Sequence, residues 1–344
     1  MPPARSNASS SPAPEAHVSW PGDAEWLLTD ACGGYGCGSV DGLARRRYHA
    51  LWVVRPPGGA RRRLAVAALD EQWFEPVGSA AAAPGEARSA DARPTADAPR
   101  ATSAANGVLV SLQHAHWRDL PEPTPPPVEM AFSLAPLPTF RFAGRGRSLR
   151  RTVAFATTDD GRPMLLVRWH NDGERPLELT VRPLLGGGDA DHLPPVRAGD
   201  GVVHARGASW GFRLDASAHA AAAAGGSTPD GDPLPLLWLT VDGVASFRAE
   251  PVVYRGFVFA TDRARGYDHV ADRASPGRLE LLLPAGGAAT AAFVFGAPVA
   301  DPDAAFETAL AAADQRRTAA ESCVPAEADG RWARLARGAD DFLY

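Results

Sequence analysis

The sequence predicts an all-β fold, a large antiparallel β-sandwich with helices only after about residue 298. Three observations predict it. Apolar runs of strand length recur along the chain. Glycine and proline, 34 and 32 of the 344 residues, punctuate these runs with turn signals. Helical periodicity is almost absent before Pro302, which disfavours alternating strand and helix units.

The predicted strands follow one another in the order in which these apolar runs occur. Each run has the length of a strand, and turn-forming residues separate it from the next. The runs lie at 18–20, 25–28, 48–54, 64–69, 107–114, 128–134, 149–157, 164–171, 177–183, 201–205, 209–214, 236–241, 252–260, 278–283 and 290–295.

Residues 17–298 are therefore predicted to be the β-sandwich domain. Residues 1–16 are mostly Pro, Ser and Ala, and they predict a disordered leader. Residues 79–106 and 217–232 have too few apolar side chains to offset about 1–2 kcal/mol of backbone entropy per ordered residue. We expect both segments to be loop insertions within the sheet scaffold.

Residues 299–344 are predicted to form a helical linker. Asp301-Pro302 is a helix start signal before an Ala-rich run at 303–313, and a second helix is predicted at 330–343. The chain stops soon afterwards, so we expect it to be the front part of something larger. An apolar helix face left exposed at 305–310 would then be a docking surface.

Charge and composition exclude several classes of function. Lys and Arg total 35 against 40 Asp and Glu, so the net charge is −5 and provides no cationic field for nucleic acid. No apolar run approaches the roughly 18–20 residues that cross a bilayer, and no basic-then-apolar signal opens the chain. Cys32, Cys37 and Cys323 are not an even disulfide set. We therefore expect a cytoplasmic protein with no membrane or nucleic-acid partner.

No cofactor or metal site is predicted. His114 and His116 would share a strand face, but no further ligand completes a tetrahedral set. The glycine-rich segment at 33–38 lacks the spacing of a phosphate-binding loop, and the chain has no lysine. This segment is either a tight glycine turn between strands or part of a binding site. The basic residues at 45–47 are either a solvated rim or part of a mixed aromatic and polar surface.

Two blocks of this sequence together indicate a family. The first is Glu25-Trp26-Leu27, then the glycine-rich turn from Asp30 to Ser39, then Arg46-Arg47-Tyr48-His49-Ala50-Leu51-Trp52-Val53, with Leu69-Asp70-Glu71 following. The second is Val253-Tyr254-Arg255-Gly256-Phe257 and the segment from Asp262 to Gly277. In this order they resemble the N-terminal domain of bacterial and archaeal glycogen debranching enzymes, the amylo-α-1,6-glucosidase family.

The chain departs from the family pattern at several positions. Gly188 stands near an expected arginine, Ala271 at a position where an acid is typical, and Asp262 in place of glutamate. Arg150 replaces a glutamate before a basic residue. The resemblance covers roughly residues 20–295.

The resemblance implies a large sandwich that precedes an (α/α) catalytic barrel. Enzymes of this family hydrolyse the α-1,6-linked glucose at trimmed glycogen branch points, and such hydrolysis normally needs two carboxyl groups. In the family these carboxyl groups lie in the barrel, which we expect this chain to lack. Asp268 and Asp272 are expected to pair with Arg263, Arg265 or Arg273, so no catalytic residue is predicted.

The predicted function is that of a glucan-binding and scaffolding domain, with α-glucan and a helical catalytic barrel as partners. Pyranose rings stack on aromatic faces, and their hydroxyl groups bind Arg and Asp side chains. Each candidate could equally be a core aromatic or a structural ion pair. Two rivals stay open, a free-standing glucan-binding protein and a structural or interaction protein. The candidate substrate-binding residues are Trp26, Tyr35, Arg47, Tyr48, His49, Arg265 and Asp268.

Overall fold

A computed structural model describes residues 21–56, 61–76, 107–186, 188, 190, 204–214, 234–325 and 332. The predicted leader, both predicted loop insertions and nearly all of the second predicted helix lie outside these residues. The domain boundaries therefore remain predictions.

The all-β prediction is confirmed, since strands dominate the described residues. The strands are β1 (Glu25–Thr29), β2 (Tyr35–Ser39), β3 (Ala50–Val54), β4 (Arg63–Pro76), β5 (Gly107–Ser111), β6 (Glu129–Ser133), β7 (Thr139–Gly144), β8 (Arg147–Thr157), β9 (Pro163–Asn171), β10 (Leu177–Leu185), β11 (His204–Arg206), β12 (Ser209–Phe212), β13 (Leu237–Asp242), β14 (Ala245–Val258), β15 (Val270–Leu283) and β16 (Ala288–Phe295). Two helices can be bounded within the described residues, α1 (Ala260–Ala264) and α2 (Pro302–Ser322).

The strands form two eight-stranded antiparallel sheets. The first sheet has the order β1-β2-β3-β4-β10-β15-β14, with β5 also paired to β4. The second sheet has the order β11-β12-β13-β16-β9-β8-β7-β6. The chain passes between the sheets several times, so neighbours in a sheet are often distant in sequence. In the second sheet, for example, Leu165 of β9 lies opposite Phe293 of β16.

The main core lies between the two sheets. Side chains of one strand alternate between the sheet faces, so every second residue of a strand points into this core. On β9 the inward residues are Leu165, Val167 and Trp169, all fully buried. The outward residues Met164 and Leu166 are buried too, in a second cluster on the outer face of the second sheet.

A buried ion pair connects the two sheets across this core. Glu71 on β4 is 1% exposed, and its Oε2 lies 2.7 Å from the guanidinium of Arg151 on β8. Its Oε1 accepts a hydrogen bond from Trp169 Nε1 at 2.5 Å. Burial raises the pKa of the Glu71 carboxyl, and Arg151 opposes that shift. A single carboxylate thus fixes the register of the first sheet against two strands of the second.

Helix α2 covers the outer face of the second sheet. Asp301 caps its start by accepting a hydrogen bond from Ala304 N at 2.8 Å, and Pro302 occupies the first turn. Phe306, Ala309 and Ala313 are buried against the second cluster. The apolar face around 305–310 is therefore packed on the chain's own sheet and is not an exposed docking surface.

The helix is further held by one arginine of the sheet. Arg168 of β9 forms salt bridges with Asp303 and Glu307, and its guanidinium lies 4.0 Å from the centre of the Phe306 ring. Its Nε donates to Thr290 Oγ1 at 3.0 Å. Neither helix is long and apolar enough, among the described residues, to cross a membrane.

Candidate functional site

The glycine-rich segment is a tight turn between β1 and β2, held by one buried carboxylate. Asp30 Oδ1 accepts hydrogen bonds from Cys32 N at 2.9 Å and Gly34 N at 2.7 Å. Asp30 Oδ2 accepts a third from Trp52 Nε1 at 3.1 Å. The carboxylate thus binds the turn's own backbone, as expected for a tight glycine turn between strands.

Two glycines, Gly34 just before β2 and Gly36 within it, allow the backbone to approach β3 closely. A Cβ atom at Gly34 would lie 2.5 Å from the carbonyl oxygen of Val53, and one at Gly36 would lie 2.5 Å from that of Leu51. Contacts this short do not occur for real side chains, so any larger residue would push the strands apart. The basic segment at 45–49 lies in the connection between these two closely paired strands.

The basic segment forms specific pairs. Arg45 makes two hydrogen bonds of 2.6 Å with the carboxylate of Asp41, and Arg46 Nε lies 2.7 Å from Glu25 Oε1. The Arg46 guanidinium also lies 5.7 Å from the centre of the Tyr48 ring. The mixed aromatic and polar surface considered from the sequence is therefore present, and these arginines are paired.

The two family-like blocks, more than 200 residues apart in sequence, meet at this segment. Thr261 N donates to the carbonyl of Arg45 at 3.0 Å. Asp262 is 3% exposed and accepts a hydrogen bond from the backbone N–H of Arg47 at 2.6 Å. The guanidinium of Arg47 lies 5.4 Å from the ring centre of Tyr267. The short helix α1 thus carries the second block onto the first.

This contact leaves an exposed aromatic and charged patch. We call the patch the junction surface. Tyr267 is 53% exposed, and its neighbours Arg265 and Asp268 are exposed as well. Arg47 and Tyr48, on the facing segment, are half-buried. The junction surface consists of Arg47, Tyr48, Arg265, Tyr267 and Asp268.

The structure does not bring all the predicted site residues together. Trp26 is 4% exposed and packs edge-on to Phe140 in the core, so its ring faces are covered. Tyr35 is half-buried below the guanidinium of Arg62, at 5.4 Å, and is not part of the junction surface. His49 is buried behind Tyr48. Arg47, Tyr48, Arg265 and Asp268 do lie at the junction of the two blocks.

Tyr267 is a candidate that the sequence reasoning missed. It lies inside the second block, but that block was interpreted through its charged residues. An aromatic residue in a turn rich in charged residues, with no apolar run around it, has little to bury against and is a signal for exposure. That signal could have identified Tyr267 before the structure did.

The acidic residues of the second block have hydrogen-bond and salt-bridge partners that differ in part from those predicted. Asp272 accepts a hydrogen bond from Gly256 N at 2.9 Å and forms its salt bridge with Arg255, at 3.4 Å, rather than with the expected Arg263, Arg265 or Arg273. Asp268 is exposed at the junction surface. Ala271, at the position where the family typically has an acid, is buried.

His49 is a buried imidazole beside a carboxylate. Its Nδ1 accepts a hydrogen bond from Arg45 N at 3.3 Å, which leaves the proton on Nε2, 3.2 Å from Glu25 Oε1. Burial lowers the pKa of His49, and the nearby Glu25 carboxylate only partly opposes this. The folded protein therefore holds this imidazole neutral.

We expect His49 to make the fold sensitive to mild acid. The unfolded chain takes up the proton near the ordinary pKa of about 6.5, whereas the folded protein does so only at lower pH. The unfolded state then binds more protons, so the free energy of unfolding falls as the pH is lowered from 7 towards 5. The contribution is at most about 1.4 kcal/mol per pH unit.

Denaturant unfolding at several pH values measures this effect. His49→Gln is expected to show a shallower loss of stability than the wild type between pH 7 and 5. His204→Gln changes an exposed histidine on β11 and is the matched control. Equal slopes for the wild type and His49→Gln would show that His49 does not titrate as described.

A cleft of about 110 Å³ opens beside the first block. Its lining comes from both sheets and from the segment at 112–116. Gly42 is exposed and Gln113, His114 and Met130 are half-buried, so the cleft reaches solvent on this side. The polar and charged side chains around it include Trp26, Ser39, His49, His116, Arg151 and Arg273.

The histidines proposed as a strand-face pair bind backbone carbonyls separately. His114 Nδ1 lies 2.8 Å from Asp41 O, and His116 Nε2 lies 3.3 Å from Leu120 O. Within the part of the chain that the structure describes, no group of three or more His, Cys, Asp or Glu residues is placed to hold a metal ion.

Comparison with known proteins bears on the two blocks directly. Residues 24–79 and 100–290, more than half of the chain, match the family model described as "Glycogen debranching enzyme N terminal". No curated protein matches the chain. A solved structure described as "Putative kojibiose phosphorylase from human microbiome" aligns with a TM-score of 0.27 and 9% identity, over 70% of this chain and 29% of that one. The chain thus spans less than a third of that protein's length.

Proposed function

We propose, from the premise that this chain belongs to the family of glycogen debranching enzyme N-terminal domains, that it binds α-glucan through the junction surface and supports a helical catalytic barrel. Hydrolysis of the α-1,6 branch would then be carried out by carboxylates of the barrel, outside the sandwich. The proposed setting is the cytoplasm, where glycogen is stored.

One observation carries the glucan-binding part of this proposal. The two sequence blocks typical of the family converge so that an aromatic ring is left exposed among charged groups. Tyr267 is 53% exposed, and Arg47 lies 5.4 Å from its ring centre. A pyranose presents one apolar face and a rim of hydroxyl groups, so a flat ring flanked by hydrogen-bonding side chains is complementary to it.

The charged members would bind the hydroxyl rim. Arg265 and Asp268 flank Tyr267 on one exposed turn, and they offer donor and acceptor groups respectively. Arg47 is oriented by its own backbone, because Asp262 holds its N–H at 2.6 Å. A planar guanidinium with a fixed backbone loses less freedom on binding than a mobile one.

The candidate residues that are buried would have a role other than direct contact with the glucan. Trp26 and His49 are buried and could stack on a sugar only after rearrangement of the core. We therefore propose that they support the first block and leave contact with the glucan to the exposed residues. Tyr35 would act in the same supporting way from below Arg62.

Calorimetric titration with maltooligosaccharides and glycogen tests the proposal. Tyr267→Ala is expected to weaken binding about tenfold, since it removes a stacking contact of roughly 1.4 kcal/mol. Tyr267→Phe keeps the ring and is expected to retain most of the affinity. Leu282→Ala removes another exposed apolar side chain, 45% exposed and on β15 of the first sheet, and is the control.

The other outcomes separate the rival functions. Equal affinities for the wild type and Tyr267→Ala would place glucan binding elsewhere. Absence of binding by the wild type would favour a purely structural or interaction domain. Release of glucose from a branched limit dextrin by this chain alone would contradict the assignment of catalysis to the barrel.

A further inference from the structure

The cleft beside the first block is lined by buried polar atoms that lack hydrogen-bond partners among the described residues. Apart from His49 Nε2, which faces Glu25, these are Trp26 Nε1, Ser39 Oγ, His116 Nδ1 and Arg151 Nε. Trp26 and Ser39 are 4% and 1% exposed. Buried polar atoms in proteins are nearly always paired, with protein or with a bound molecule. Several unpaired atoms around one space indicate an occupant.

The hydrogen-bonding character of these atoms limits which kinds of molecule could occupy the cleft. Trp26 Nε1 and Arg151 Nε can only donate, and the Ser39 hydroxyl can donate as well. His116 Nε2 is engaged with the carbonyl of Leu120, at 3.3 Å, which leaves Nδ1 as the acceptor in the neutral ring. The unpaired groups are therefore mainly donors, and they favour a molecule rich in oxygen acceptors.

A buried positive charge in the lining of the same cleft limits the range of possible ligands further. Arg273 on β15 is 6% exposed, and its guanidinium donates to the backbone carbonyl of its neighbour Asp272 at 3.0 Å. No carboxylate lies within salt-bridge distance of it among the residues that the structure describes. By contrast Arg151, on the same cleft, is neutralised by Glu71 at 2.7 Å.

The buried environment of Arg273 is energetically unfavourable for its positive charge. Its guanidinium lies 5.7 Å from the ring centre of Phe259, and burial lowers its pKa to about 10, although the nearby charge of Asp272 partly opposes that shift. Transfer of a cation from water to a protein interior is unfavourable unless an anion accompanies it. Water in the cleft would complete hydrogen bonds but would leave the guanidinium without a direct counter-ion, since Asp272 acts on it only from beyond salt-bridge distance.

We propose that this cleft binds a small oxyanion, a phosphate or carboxylate group, with the Arg273 guanidinium as its counter-charge. The exposed Gly42 and half-buried Gln113 and Met130 leave a path for the ligand from solvent. A planar guanidinium binds such oxygens in pairs, which gives both charge compensation and orientation. The site is separate from the junction surface and does not depend on glucan binding.

Thermal unfolding in the presence of inorganic phosphate tests this proposal. The full chain, dialysed into a chloride buffer, is titrated with phosphate or with acetate at constant ionic strength. A ligand that binds only the folded state raises the midpoint in a saturable way. A response to phosphate alone assigns a phosphoryl group, and a response to acetate assigns a carboxylate. Absence of response to both overturns the proposal.

Substitutions at Arg273 make the test specific. Arg273→Met keeps the aliphatic stem and removes the charge, so the response to the anion is expected to disappear. Without the anion, its unfolding midpoint should equal or exceed that of the wild type, because a buried charge without a salt-bridge partner has gone. Arg273→Lys keeps the charge but not the paired donors, and about tenfold weaker binding is expected.

Arg248→Met is the matched control, since Arg248 is an exposed arginine on the neighbouring strand β14, paired with Glu280. It should respond like the wild type. A response that persists in Arg273→Met, or that is lost equally in Arg248→Met, overturns the assignment. A lower midpoint of Arg273→Met in the absence of anion would do so too, because Arg273 would then be a structural residue.

Discussion

Replacement of Glu71 by leucine is expected to lower the free energy of unfolding by about 3–5 kcal/mol. Glu71 is buried between the sheets and binds Arg151 and Trp169 at once, at 2.7 and 2.5 Å. Its removal leaves a guanidinium in the core without its counter-ion and an indole N–H without its acceptor. Each of these two groups is then buried without a partner, so the unfavourable free energy of its transfer from water is no longer offset.

The double variant Glu71→Leu with Arg151→Met separates charge from packing. Removal of both charges abolishes the uncompensated cation, so the double variant is expected to regain most of the lost stability. Chemical denaturation of the wild type, both single variants and the double variant measures the coupling. If the single and double variants were equally unstable, the loss would be one of packing and the ion pair would contribute little.

Replacement of Phe306 by alanine is expected to detach helix α2 from the second sheet. A buried phenylalanine truncated to alanine normally costs about 3–5 kcal/mol. Phe306 is 2% exposed, fills the outer cluster and lies 4.0 Å below the guanidinium of Arg168. Its loss should act on the helix first, because the inter-sheet core does not include it.

Amide hydrogen exchange measures this local effect. In Phe306→Ala the amides of α2 should exchange much faster than in the wild type, while those of β9 and β16 stay protected. Thr308→Ala changes an exposed residue of the same helix and should leave the exchange unchanged. Uniformly faster exchange across both sheets would mean that α2 and the sandwich unfold as one unit.

The sequence predicted those strands whose side chains follow a simple apolar pattern. For β9 the predicted 164–171 and the observed Pro163–Asn171 nearly coincide, because the run begins with four consecutive apolar residues, Met164 to Val167. The helix predicted at 303–313 extends further, to Ser322, since the alanine-rich run continues with good helix formers.

Other strands were missed because their local residues signal turns. β2 contains Gly36 and Gly38 and directly follows Gly34, and its extended form depends on the nearby β3 backbone. The part of β15 before the predicted run at 278–283 includes Pro276 and Gly277, which normally end strands. A Cβ at Gly277 would lie 2.1 Å from the carbonyl of Arg248, so this glycine is needed for the close pairing with β14. Such long-range requirements are not visible in a local pattern.

The candidate site could be predicted only in part for a related reason. The motif residues at 45–49 and 262–277 were identified, but which of them are exposed depends on how the two blocks pack. Asp262 is an acid that the structure buries on the backbone of Arg47, whereas Tyr267 is an aromatic that it exposes. Both are the reverse of the usual behaviour of their residue types.

The repeated passage of the chain between the sheets also governs the order in which the protein can fold. The centre of the second sheet is the pair β9 and β16, and these strands are joined by more than a hundred residues that contribute to both sheets. During synthesis β9 must wait, with one edge unpaired, until Ala288–Phe295 has emerged. Distant pairings of this kind slow folding and expose strand edges to other chains. The nascent chain therefore cannot complete its second sheet until β16, synthesised more than a hundred residues after β9, has emerged.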